Sequence, residues 1–219
     1  MTNDNISSGK SSILLFSIVS VLLGCSYFMA SDMYVPSLPS MSHALSTSSN
    51  MARMTIAVFL IALALSQLFY GPASDKFGRK RIIFIGASIY LIGSLICMFS
   101  WSIYVLIIGR VVQGVGTGAL LSLSRVIVQD SVDKDKFIHI VGWLSLFFML
   151  APAGAPVLGG VIETYFNWRI SFLVMFILVV ITTLIVATRM QETHPPHKRN
   201  TNALVPKQLF TLYTMIFFI

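Results

Sequence analysis

Six apolar runs, each long enough to cross about 30 Å of hydrocarbon at about 1.5 Å per residue, decide most of what this chain can become. They cover 13 to about 35, then about 51–72, 82–100, 103–128, 137–162 and 169–188. The apolar residues come as continuous runs rather than stripes, so they read as membrane-spanning helices and not as faces of a soluble bundle. Only 11% of the residues are charged, where a soluble domain carries about 25%. The fold class is an all-α membrane protein whose 13–188 segment is a six-helix bundle. Residues 1–12 are polar and read as a disordered cytoplasmic tail. No small-residue cleavage site follows the first run, which is therefore retained, and Pro36 and Pro39 close it. Residues 189–208 form a cytoplasmic linker, and the apolar 209–219 reads as the start of a seventh helix that the chain does not finish.

Between the second and third runs lies Gly71–Arg81, GPASDKFGRKR, with four of the fifteen basic residues. Such a cluster cannot sit in hydrocarbon, so it predicts a short turn at a membrane surface. Counting Lys and Arg by loop parity places twelve on the side of this turn, Arg125 among them. Arg53 and Arg169 fall on the other side, and Arg110 lies within a span. The excess of positive charge puts that side, and the amino terminus, in the cytoplasm. The net charge of +7 is thereby assigned to loops facing the bilayer surface rather than to a nucleic-acid partner. Cys25 and Cys97 lie inside apolar runs and read as packing residues. His43, His139, His194 and His197 have no metal spacing. No nucleophile–base pair or phosphate loop is evident, so an enzyme is not expected.

Offset by 88 residues, 71–84 aligns with 159–172. Gly71 meets Gly159, Asp75 meets Glu163, Arg81 meets Arg169, and Ile82 and Phe84 meet Ile170 and Phe172. Three spans separate the copies, so they lie at opposite membrane faces, as in a 3+3 inverted repeat. Asp32 and Arg110 are the carboxylate and the guanidinium placed well within apolar runs. Intramembrane charge costs about 2.5–3.5 kcal/mol on insertion scales, which makes each a functional candidate. Asp32 lies roughly 6 Å, and Arg110 roughly 10 Å, from the same membrane face, so a pair or water-bridged contact is geometrically allowed. An interfacial Asp32 and a structural Arg110 remain the alternatives. Arg110, Gln113, Gly114 and Thr117 share one helix face at i, i+3, i+4 and i+7. In the fifth run, Pro152 and Pro156 each remove a backbone donor and predict a bend, while Gly154, Gly159 and Gly160 allow close helix approach.

GPASDKFGRKR resembles the loop 2–3 signature of the major facilitator superfamily. LIIGRVVQGVGTGA (106–119) is similar to the fourth-helix motif of that superfamily, and APAGAPVLGG (151–160) resembles its fifth-helix antiporter motif, with Ala151 and Ala155 where glycine is usual. Together with DMYVPSLP (32–39) and FNWR (166–169), these look most like drug/proton antiporters of the bicyclomycin-resistance (Bcr/CflA) branch. The resemblance covers about 13–219 and implies the amino-terminal half of a twelve-helix transporter. It implies a proton/substrate site of Asp32, Arg110 and Gln113. It further implies a cytoplasmic latch in which Arg79 pairs with Asp75 and Asp130, with Gly71 and Gly78 permitting the tight crossing. The fifth-helix motif contributes Pro152, Gly154, Pro156, Gly159 and Gly160. A second acid found earlier in the first helix of some relatives is replaced here by neutral Gly24 and Cys25. The implied function is proton-coupled multidrug efflux of an apolar or cationic small molecule, driven by the proton gradient without a cofactor. As a single half the chain is expected to be inactive as a monomer and to need a second six-helix half or a second copy. The alternatives are a proton-coupled metabolite symporter and a non-transporting, partner-binding half.

Overall fold

The computed structural model describes residues 3–131, 134–194 and 199, with 3–12 and 134–139 described as backbone only. The segment read as the opening of a seventh helix, 209–219, and the linker from 200 onward lie outside the described residues. The chain runs as α1 (Asn3–Phe28), a π-helical segment (Met29–Met33), a 3₁₀ turn (Val35–Ser37), α2 (Leu38–Ala44), α3 (Ser49–Phe77), α4 (Arg79–Met98), α5 (Ile103–Ser131), α6 (Lys134–Tyr165) and α7 (Trp168–Arg189). Six of these stretches are long and apolar enough to cross a membrane, and they coincide with the six runs.

Three boundaries differ from the sequence reading. The helix begins at Asn3, so the segment read as a disordered tail extends α1; adding residues to a formed helix avoids the nucleation cost that an isolated polar peptide faces. Pro36 and Pro39 do not close the first span. Each is the second residue of its segment, Pro36 in the 3₁₀ turn and Pro39 in α2, where the N–H has no intrahelical partner to lose, and the span continues to Ala44. The polar knot is not a loop either. Its first seven residues are the last two turns of α3, and the chain reverses at Gly78 alone. Gly78 has φ +96° and ψ 150°, a conformation L side chains avoid.

The most buried helix is α5, which packs on α1, α3 and α4. Small residues allow the closest of these approaches: a Cβ at Gly116 would strike the backbone of Tyr90. α4 also packs on α7, while α6 leans on α1 and the π segment and meets α7 little. α3 and α6 are the least buried of the six spans. Local caps hold the ends of two helices. Ser48 accepts from Met51 N at the start of α3, and Asn167 accepts from Arg169 N at the start of α7. The guanidinium of Arg169 donates to the Ser100 carbonyl at 2.8 Å, just before α5 begins.

Candidate functional site

Two polar clusters lie near opposite ends of α5. Near its start, Arg110 is fully buried and stacked among rings, its Cζ 4.1 Å from the Phe59 centroid, 4.4 Å from Tyr34 and 5.9 Å from Phe172. Aromatic faces attract a guanidinium through their quadrupole, and most strongly when water is excluded. Arg110 Nη1 donates to Gln113 Oε1 at 2.5 Å and Nη2 donates to the Ala30 carbonyl at 2.7 Å. Gln113 Nε2 in turn donates to Ser94 Oγ at 2.8 Å, and the Tyr34 hydroxyl lies 3.1 Å from Thr55 Oγ1. Arg110, Gln113, Gly114 and Thr117 are all buried on one face of α5.

The structure does not pair Asp32 with Arg110. The Ala30 carbonyl occupies the place the sequence offered to the carboxylate. Its availability follows from the π segment: the Tyr34 N–H, which an α-helix would direct to Ala30, goes to the Asp32 carbonyl instead. Asp32 is half-buried, and its carboxylate accepts from Ser31 Oγ at 2.8 Å. It has no ion-pair partner among the described residues. A cation held by a carbonyl, an amide and three rings needs no carboxylate to be tolerated, and an acid held by one hydroxyl keeps its second oxygen for a proton or a cationic group.

At the other end of α5, Arg79 is buried and ion-paired to Asp75 at 2.5 Å and to Asp130 at 2.9 Å. It also donates to Ser74 Oγ, whose hydroxyl donates to the Gly71 carbonyl at 2.7 Å. The three charged residues expected to meet thus lie in contact, joining the last turn of α3, the first of α4 and the last of α5. Sequence reasoning missed Glu192. α4 starts after a glycine, so it has no side-chain cap of its own. Glu192 supplies one from beyond α7, its two carboxylate oxygens accepting from Arg79 N at 2.9 Å and Lys80 N at 3.3 Å. Lys80 returns the contact, donating to the Ala187 and Met190 carbonyls at the end of α7. An anion at a helix start and a cation at a helix end both oppose the local partial charge. An uncapped helix start was the available signal for Glu192.

The fifth-helix residues Pro152, Gly154, Pro156, Gly159 and Gly160 all lie on α6. Both prolines lie inside a continuous α6. Gly159 meets α1's extension, where a Cβ would fall on the Met33 carbonyl oxygen. Gly154 and Gly160 face open space, with no neighbour within 4 Å of where a methyl would lie, and so does Gly71. Only Gly159 of the three fifth-helix glycines therefore mediates a helix contact among the described residues.

The Major Facilitator Superfamily profile matches residues 20–218. The chain is 31% identical over 199 residues to the multidrug resistance protein D of Escherichia coli (strain K12), covering 90% of this chain and 50% of that one. It is 33% identical over 168 residues to a bicyclomycin resistance protein homolog of Haemophilus influenzae, covering 77% of this chain and 42% of the relative. Its fold superposes on the crystal structure of a D-xylose–proton symporter with a TM-score of 0.71 at 16% identity, covering 94% of this chain and 52% of the symporter. The chain spans about half the length of the curated relatives it matches.

Proposed function

The chain belongs to the major facilitator superfamily, and from that premise we propose that it supplies six helices of a proton-coupled drug exporter working by alternating access in the inner membrane, with its amino terminus in the cytoplasm. The observation that carries this reading is Asp32, a half-buried carboxylate bound by one serine hydroxyl and placed on the same π segment that seats the buried Arg110. An acid without a cationic partner can bind a proton or the cationic part of a ligand, but not both. Exchange of the two is antiport. The names of the two relatives, a multidrug resistance protein and a bicyclomycin resistance homolog, favour a drug-like substrate.

Transport in this superfamily rocks two six-helix halves about a central site. A second six-helix half therefore completes the cavity. Arg79, Asp75 and Asp130 serve as a latch at the cytoplasmic end, tightened when α3 approaches the partner half. Everted vesicles holding the chain with a second six-helix half test the reading. An imposed proton gradient should drive uptake of a lipophilic cationic dye. Asp32→Asn, at equal membrane abundance, should abolish that uptake, and undiminished gradient-driven uptake by the variant refutes the assignment. The chain reconstituted alone at high dilution should give no flux.

A further inference from the structure

Arg125, like Arg53 and Arg189 near other helix ends, is a cation that the two clusters leave unused among the described residues. It lies on α5, six residues and about 9 Å along the axis from the helix end. It is exposed and has no hydrogen-bond or ion-pair partner among the described residues. Arg79, Lys80, Arg110 and Arg169, by contrast, all reach acceptors. A second observation is independent of this one. In these spans serine and threonine hydroxyls commonly bond back to the carbonyl three or four residues earlier, as Ser17, Ser66, Ser94, Thr117, Ser124 and Thr182 do. Ser122 and Ser145 do not, and Gln67 and Gln129 likewise make no side-chain hydrogen bond among the described residues.

Those four side chains surround Arg125. A cavity of about 470 Å³ between α3 and α5 is lined by Gln67, Ser122 and Arg125. Another of about 320 Å³ between α5 and α6 is lined by Arg125, Gln129 and Ser145. Both volumes fall within the range of about 300–1,000 Å³ typical of small-molecule sites. Five hydrogen-bonding side chains without a partner among the described residues thus line two adjoining cavities.

We propose that Arg125, with Gln67, Ser122, Gln129 and Ser145, forms an anion-recognising subsite that binds the carboxylate of an amphiphilic small molecule. The guanidinium offers a two-pronged charge-assisted contact, the serines and glutamines donate to the remaining lone pairs, and the apolar lining takes the ligand's body. An unpaired arginine of this kind could instead answer a carboxylate on another protein. The donors around it and the cavities on both sides favour a ligand. The proposal rests on the transporter reading only in supposing that this face meets small molecules.

Binding, read without flux, tests it on the whole chain in lipid nanodiscs. Three probes share a phenylpropyl body and differ in the group it carries: the isosteric pair 4-phenylbutyrate and 4-phenylbutanamide, and the cationic 4-phenylbutylamine. The carboxylate should bind about tenfold or more tightly than the amide, the value of one charge-assisted contact, with the amine weakest. Arg125→Gln should bring carboxylate and amide to parity. If that variant does not remain monodisperse, Arg125→Lys decides: it should keep the order with a smaller ratio, because a point charge lacks the fork. Equal affinities for carboxylate and amide in the unmodified chain overturn the subsite. So does an undiminished preference in Arg125→Gln or Arg125→Lys. Loss of the preference leaves the Asp32 efflux test untouched, and failure of efflux leaves this one untouched.

Discussion

Gly159 and Gly160 are adjacent on α6 and chemically identical, yet alanine at the two positions should act with opposite sign. Helix propensity favours alanine over glycine by about 0.8–1.0 kcal/mol. At Gly160 nothing lies within 4 Å of the added methyl, so that gain stands nearly alone. At Gly159 the methyl would fall on the Met33 carbonyl oxygen, with the Met33 carbonyl carbon 2.7 Å away and its Cα 3.3 Å away. These are backbone atoms of the π segment and cannot rotate aside. Overpacking of this kind costs about 1–3 kcal/mol. The cost offsets or exceeds the propensity gain, so Gly159→Ala should destabilise by up to about 2 kcal/mol while Gly160→Ala stabilises by up to about 1. Equilibrium unfolding of the purified chain in mixed micelles measures both against the unmodified protein, with Gly154→Ala as a second open-space control. If Gly159→Ala matches Gly160→Ala within error, α6 does not approach the π segment this closely and the reasoning fails.

Two further outcomes follow from the polar clusters. Glu192→Ala removes the acceptor for Arg79 N and Lys80 N and should cost about 1 kcal/mol, the usual value of a helix cap. Hydrogen exchange should show those two amides opening about fivefold more often, with Glu192→Gln intermediate; unchanged exchange in the alanine variant would remove the cap assignment. Arg110→Leu leaves the Ala30 carbonyl and Gln113 Oε1 buried without their donor and should cost about 2–4 kcal/mol in the same unfolding assay. A loss under about 1 kcal/mol there would mean that the rings, not the hydrogen bonds, hold the site together.

The spans were legible in the sequence because hydrocarbon thickness sets their length and few residues besides apolar ones survive in it. The meeting of Arg79 with Asp75 and Asp130 was legible for a related reason, since a charge cluster at a helix junction has few places to go. The Arg110 site was legible only in part. Its shared face with Gln113 follows from helical spacing, but its main partner is a backbone carbonyl. Every residue carries one, and only a local departure from α geometry decides which is free. For the same reason the sequence could offer an Asp32–Arg110 contact only as geometrically allowed, beside an interfacial Asp32 and a structural Arg110. Glu192 was hidden because its role depends on where a linker folds back, a long-range fact that composition does not encode. Arg125 was counted among loop charges, and its solitude became visible only once the hydrogen bonds of its neighbours were known.

The π segment holds one residue more than its turn requires, and that surplus is a matter of phase. One residue rotates a helix by about 100°, so a wheel drawn through the first span in a single sweep assigns the residues before and after Met29–Met33 to mismatched sectors. Both sides are nevertheless anchored: the Ser26 carbonyl accepts from the Tyr90 hydroxyl at 3.3 Å, and the Tyr34 hydroxyl meets Thr55. The extra residue lets both attachments exist at once. A version of this helix one residue shorter between Phe28 and Val35 would have to choose, keeping either its seat against α4 or its ring over Arg110.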